Sequence, residues 1–209
     1  MKGTLRNDTL LRVLGVDPAA AGPTGYGIIE SDGRRFRMLH YGALPVADKI
    51  RNGSAGAALR AVHDKICELI AEFAPDVLAV ESIFSALNIK TALRLAEVRG
   101  VVLLAAAQHS LEIHSYAPRE IKASVAGYGN ADKRQIQLMV RAILSMDETP
   151  HPSDAADALA VALCHLQREK SFRRFGIPSA VAAPQKTRSA LRNVPVATEA
   201  SVSRTSAPR

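Results

Sequence analysis

Short apolar runs open the chain, and longer helical periods follow them. Leu11–Asp17 (LRVLGVD) is almost entirely apolar and ends on Asp-Pro, the pattern of a short buried strand. AAAGPTG then forms a turn rich in Gly and Pro, and a second strand is expected near Tyr26–Glu30. Asp32–Gly33 is a hairpin signal, and Arg37–Val46 reads as a third strand that carries Tyr41 and Leu44. Three strands joined by short links predict an antiparallel meander. Beyond it the period lengthens. Gly53–Phe73 sets Leu59, Val62, Ile66, Leu69 and Ile70 at helical spacing, and Pro75 ends that helix. Asp76–Glu81 (DVLAVE) is again a buried strand.

A long helix is predicted over Asn88–His109, with Ala92, Leu95, Ala96, Val98, Val102 and Leu103 as its apolar positions. A strand at Glu112–Tyr116 follows, then a short helix opened by Pro118, which suits a first helical position. A loop punctuated by glycine (GYGNAD) leads to a helix over Lys133–Leu144, and a last helix runs from Asp154 to about Arg168. The order β-β-β-α-β-α-β-α-α-α predicts an α/β fold. Its sheet would be mixed and five-stranded, a meander followed by parallel strands, with helices on both faces.

Composition changes this picture at the two ends. A chain of 209 residues suffices for one α/β domain with extensions. Residues 1–10 read as a flexible leader, 11–169 as the domain, and 170–209 as a basic, disordered tail. The net charge of +7 suggests nucleic acid, but from Lys170 onward lie eight Lys/Arg and one acid, Glu199. That leaves 19 of the 27 basic and 19 of the 20 acidic residues in the rest of the chain, which is neutral. The tail supplies the excess, either as a weak attraction for phosphates or as a solubilising end. No apolar run reaches the roughly 18 residues of a membrane span, and the first residues lack a secretory signal. Cys67 and Cys164 stand alone without CxxC spacing, so a reducing cytoplasm is expected.

The last helix poses a chemical question. It is almost all Ala and aliphatic, which predicts burial on every side, yet Asp154 and Asp157 share one face of its first turn. Asp17 and Glu81 end two of the apolar strands. Singly, each has a plain reading as a turn former, a strand end or a helix cap. Together at one rim of a sheet, four carboxylates would raise one another's pKa unless cations joined them. Mg²⁺ fits such an all-oxygen set, and two ions can activate water and stabilise a leaving oxygen in phosphodiester cleavage.

With LGVDP, TGYGII, VLAVESIF, LRLAEVRGVVLLAA, YAPREIKASVAGYGNADKRQIQLMV and SDAADALAVALCH, the chain resembles the RuvC family of bacterial Holliday-junction resolvases from about Leu11 to His165. The resemblance implies an RNase H-like fold and an Mg²⁺-dependent endodeoxyribonuclease, with Mn²⁺ as substitute, that nicks four-way junctions symmetrically in recombination and repair. It puts the metal-binding carboxylates on Asp17, Glu81, Asp154 and Asp157. It implies an aromatic near the junction centre at Phe84 and lysines near the cleaved strand at Lys122 and Lys133. A homodimer and the branch-migration motor RuvAB are the implied partners.

Arg134 joins the expected DNA contacts from charge. Lys90–Arg141 hold eight Lys/Arg against four acids, a local excess able to line a phosphate track. One departure stands out. The family's first loop usually reads Asp-Pro-Gly, whereas here Ala19 replaces that Gly and the loop is one residue longer; glycine allows turns that alanine dislikes, so the departure bears on the loop's shape and its fit to DNA. An RNase H-like nuclease with another substrate and a junction-binding module without cleavage are the competing readings. A phosphate-binding β-hairpin of the actin or sugar-kinase kind lacks its second half, and no serine or cysteine nucleophile has a partner base.

Overall fold

The computed structural model describes residues 10–20, 22–45, 55–83 and 88–175. Its strands are β1 (Leu11–Asp17), β2 (Pro23–Ser31), β3 (Phe36–Pro45), β4 (Val77–Glu81) and β5 (Glu112–Tyr116). Its helices are α1 (Ala55–Phe73), α2 (Ile89–Gln108), α3 (Pro118–Ala126), α4 (Lys133–Ile143) and α5 (Ser153–Phe175). The sheet order is β3-β2-β1-β4-β5. β1, β2 and β3 form the expected antiparallel meander, and β4 and β5 add in parallel beside β1.

Alternation along the strands sorts the two faces. Leu14, Val16, Ile28 and Leu78 point one way and pack with Ala58, Val62, Ile66 and Leu69 of α1 and Val98, Val102, Ala105 and Ala106 of α2. The opposite face belongs to α5. There Gly27 leaves room for Leu159, whose side chain would lie 2.6 Å from a Cβ at that glycine. A Cβ on Gly15 would run into the Ala158 carbonyl and one on Gly25 into the Asp154 carbonyl, so glycine at these positions lets helix and sheet touch backbone to backbone. Accordingly α5 is buried at every residue from 155 to 166 except Asp157. Small residues on helix and sheet make that contact possible, and the helix needs no polar face there.

Caps set the helix starts. The Asn88 side chain accepts the Thr91 N–H at the head of α2, and Asp132 and Gln135 form a reciprocal capping box at α4. Two boundaries move from their expected places. β2 begins three residues early, because its pairing continues to Asp17↔Gly25 on one side and Pro23↔Pro45 on the other. α5 continues to Phe175, so the first six residues of the expected tail are helical. The leader 1–9 and the tail from 176 lie outside the described residues. Among the described residues no helix is long and apolar enough to cross a membrane.

Candidate active site

Two parallel strands end side by side at the rim of the sheet. Val16 pairs with Val80, which sets Asp17 and Glu81 next to each other at the C-terminal ends of β1 and β4, on the face that α5 covers. Asp157, one turn into α5, meets them across a cleft of about 230 Å³. Lys122 of α3 and Lys133 at the start of α4 complete its charged lining, over an apolar floor that includes Ile121, Ile136 and Val161. Eight of the lining residues thus come from α3, α4 and α5, which pack on one another beside the strand ends.

The electrostatics of the cleft are those of surplus negative charge. Burial pushes the Asp17 carboxyl well above the usual carboxylate range. A hydrogen bond with Glu81, the Glu81 charge and the charges of Asp157 and Asp154 push it the same way. Asp157 has recruited its own counter-ion, since Lys133 Nζ lies 2.8 Å from its Oδ2. Burial draws the Lys133 ammonium down, but the hydrogen bond to Asp157 and the charges of Asp157, Asp154 and Asp17 outweigh it and hold the pKa above its ordinary value. Among the described residues no three acidic, histidine or cysteine side chains already converge as a finished ion cage.

The expected residues divide as follows. Asp17, Glu81, Asp157, Lys122 and Lys133 share the cleft. Asp154 does not line it; its carboxylate reaches Asp17 and Lys133 through charge and accepts a long hydrogen bond of 3.5 Å from Ser153 Oγ. Arg134 is exposed on the first turn of α4, beside Lys133 but outside the lining. Phe84 lies outside the described residues.

Ala19 needs no glycine conformation. Among the described residues only Ala74, Ser110 and Ser145 take a left-handed φ without being glycine, so Ala19 sits in ordinary backbone geometry. Its N–H faces Thr24 Oγ1 at 3.4 Å.

Two residues were not legible as site residues. Gly25 stands opposite Asp17 in register and directly beneath the Asp154 backbone, which makes the second glycine-bearing motif, TGYG, the seat of α5. Arg99 of α2 reaches over the strand ends: its Nε donates to the Glu81 carbonyl at 3.3 Å and its Nη2 to Ser115 Oγ at 2.7 Å. Charge counting gave Arg99 as one of eight basic residues and could not tell it from the others.

Residues 13–165 match the family described as crossover junction endodeoxyribonuclease RuvC. The chain belongs to that family. The family member from Natranaerobius thermophilus is 46% identical over 155 residues, 74% of this chain and 94% of its own. The one from Caldicellulosiruptor saccharolyticus is 43% identical over 164 residues, 77% of this chain and 95% of its own. Thermus thermophilus RuvC, solved in complex with a Holliday junction substrate, superposes with a TM-score of 0.71 at 31% identity, covering 77% of this chain and 96% of that one. The yeast mitochondrial Holliday junction resolvase shares the fold, with a TM-score of 0.54 at 14% identity over 79% of this chain and 84% of its own. The RuvC match ends at His165, ten residues before α5 does.

Proposed function

We propose that this chain is a crossover junction endodeoxyribonuclease that resolves four-way DNA junctions by paired, metal-dependent nicks in recombination and repair. The observation that carries the reading is the cleft in which Asp17, Glu81 and Asp157 meet Lys122 and Lys133, in a chain of the RuvC family. Asp17, Glu81, Asp154 and Asp157 would hold the metal. The fit is chemical: the donors are all carboxylate oxygens, one pushed above the usual carboxylate range by burial and its acidic neighbours and another paired with a lysine, so a hard divalent cation answers the charge they carry. Mg²⁺, with Mn²⁺ as substitute and two ions per site, would supply an activated water and a stabilised leaving oxygen. The chain's own lysines have a separate task. Lys122 and Lys133 draw the phosphate backbone into the cleft and steady negative charge as it develops there. Arg134, on the exposed shoulder of α4, extends that track, and Phe84 contacts bases near the junction centre.

A homodimer fits a target with two equivalent cuts, since protein symmetry mirrors target symmetry. An uncovered stripe on α2 supports it: Ile89 is 80% exposed, Leu93 62% and Leu104 52%, and Gly100 lies on the same face with nothing within 4 Å of an added Cβ. Exposed aliphatic residues at helical spacing around a glycine suit close helix-to-helix approach by a second copy. Sedimentation of the full chain, with Leu93→Glu expected to give a monomer, tests this. The resemblance adds RuvAB as working partner, and the lone cysteines Cys67 and Cys164 suit a reducing cytoplasm.

The deciding experiment incubates the protein with a four-way junction, a linear duplex and an RNA–DNA hybrid in Mg²⁺, beside Asp157→Asn. Paired nicks in the junction alone, lost in Asp157→Asn while junction binding persists, are expected. Equal cleavage of the hybrid, or full cleavage by Asp157→Asn, would sink the proposal.

A further inference from the structure

We infer that Tyr128 is a stacking platform for a base of the bound strand, on the turn that joins two of the helices lining the candidate cleft. The inference rests on the reading of that cleft as the place where DNA lies. Tyr128 occupies the turn between α3 and α4, and each of those helices sends one lysine into the cleft, Lys122 and Lys133. Tyr128 is 48% exposed, a large amount for an aromatic residue of a folded domain. Among the described residues, neither an aromatic ring nor a cation is stacked on it.

Exposure alone would leave Tyr128 a chance surface residue, but its mounting is rigid. Its hydroxyl donates to Gln135 Oε1 at 2.7 Å. The same oxygen accepts the Asp132 N–H at 2.9 Å, and Asp132 Oδ1 accepts the Gln135 N–H at 2.8 Å, so the phenol is tied to the capping box of α4. On either side the chain removes bulk. Gly127 ends α3 at φ 87° with open space around it, and Gly129 lies against the Arg119 backbone. The outcome is a flat ring held at one end by its hydroxyl and bare around its neighbours.

The surroundings identify the ligand. Arg119, Lys122, Lys133 and Arg134 lie within α3 and α4 around this turn, against Glu120 and Asp132. An aromatic ring among cations is how proteins hold an unpaired nucleotide: the cations take phosphates, and the ring takes the face of a base, whichever base it is. A protein surface would call for apolar neighbours beside Tyr128. Its chain neighbours are glycines, and the helices on either side offer charge.

The test uses the full chain and a four-way junction in EDTA, so that binding is read without cleavage, with 2-aminopurine placed at successive positions near the exchange point. Wild type should quench one such position, and Tyr128→Phe, which keeps the ring, should bind within about twofold of it. Tyr128→Leu should lose that quenching and bind roughly tenfold more weakly, within the range of a single lost base stack. Its dependence of log affinity on log salt should match wild type, because no phosphate contact is lost. Full quenching and affinity in Tyr128→Leu would overturn the inference. So would equal losses in the Phe and Leu variants, which would make the hydroxyl tether the only role. A Lys122→Met/Lys133→Met double variant runs beside them. An unchanged salt slope there would remove the cleft as the strand's track, whereas a reduced slope with a silent Tyr128→Leu would overturn the Tyr128 inference alone.

Discussion

Lys133 Nζ lies 2.8 Å from Asp157 Oδ2, so the lysine expected beside the cleaved strand is bound to a carboxylate expected to hold metal. The Lys133 side chain is 54% exposed on a long stem, and its helix start is fixed by the Asp132–Gln135 box. It can therefore leave Asp157 without disturbing α4. A divalent cation held by these carboxylates would compete with Lys133 for Asp157.

Lys133→Met should accordingly bind Mn²⁺ about two- to fivefold more tightly, the scale of a partly exposed ion pair. Calorimetric titration of the full chain in the absence of DNA measures this. Lys122→Met removes the same charge from the same cleft, but Lys122 has no ion pair recorded among the described residues. It should gain less, and equal gains would mean general repulsion instead of displacement.

Gly25→Ala should damage cleavage through α5. The added methyl meets the Asp154 carbonyl, and either the helix start or β2 must yield. Overpacking of this kind costs about 1–3 kcal/mol. Urea unfolding should report that loss, and single-turnover cleavage should fall further than junction binding, because the carboxylates move and the basic residues do not.

Arg99 links the Glu81 carbonyl to Ser115. Arg99→Met should lower the single-turnover rate by roughly tenfold, about 1.4 kcal/mol of lost positioning. Arg99→Lys should restore part of it. A fall in stability with an unchanged rate would make the arginine a strand tie and nothing more.

His165 supplies a prediction for pH. It is wholly buried, its Nδ1 lies 2.6 Å from the Tyr116 hydroxyl, and its Nε2 has no partner among the described residues. Burial first, then the charges of His114 and Arg168, lowers its pKa to about 3. The unfolded chain, titrating near the ordinary 6.5, binds a proton that the folded chain refuses. Stability from this group is complete above pH 6.5 and falls as the pH drops toward 3. Between pH 8 and pH 5 the loss should be about 2 kcal/mol at 1.36 kcal/mol per unit. His165→Asn keeps an acceptor for Tyr116 and cannot titrate. Its unfolding free energy should lose that much less over the same interval in urea titrations.

Much of the architecture was legible because strand and helix differ in period. LRVLGVD and DVLAVE are short, apolar and bounded by turn residues, and they form β1 and β4 ending on Asp17 and Glu81. The acids were legible for a different reason: a carboxylate after an apolar run, or inside an alanine-rich helix, conflicts with its surroundings. Contacts made by ordinary-looking residues were not. Gly25 gains its meaning from the Asp154 carbonyl overhead, and Arg99 from a strand end far from it in sequence. Ala96 was expected among the apolar positions of its helix and is exposed, because periodicity marks an apolar face and cannot say what covers it. The end of α5 was missed because helical spacing after Arg168 passes into Lys and Arg, which read as tail.

The burial of α5 has a consequence for how the protein fails. Asp154 and Asp157 are carried by the element that touches all five strands and the two helices beside it in the cleft. Amides from 155 to 166 cannot exchange with solvent through a local opening, since freeing them would strip one whole face of the sheet. Hydrogen exchange in this segment should therefore occur only by global unfolding. Heat should abolish cleavage and fold in one transition, leaving no temperature at which an intact domain carries a melted centre.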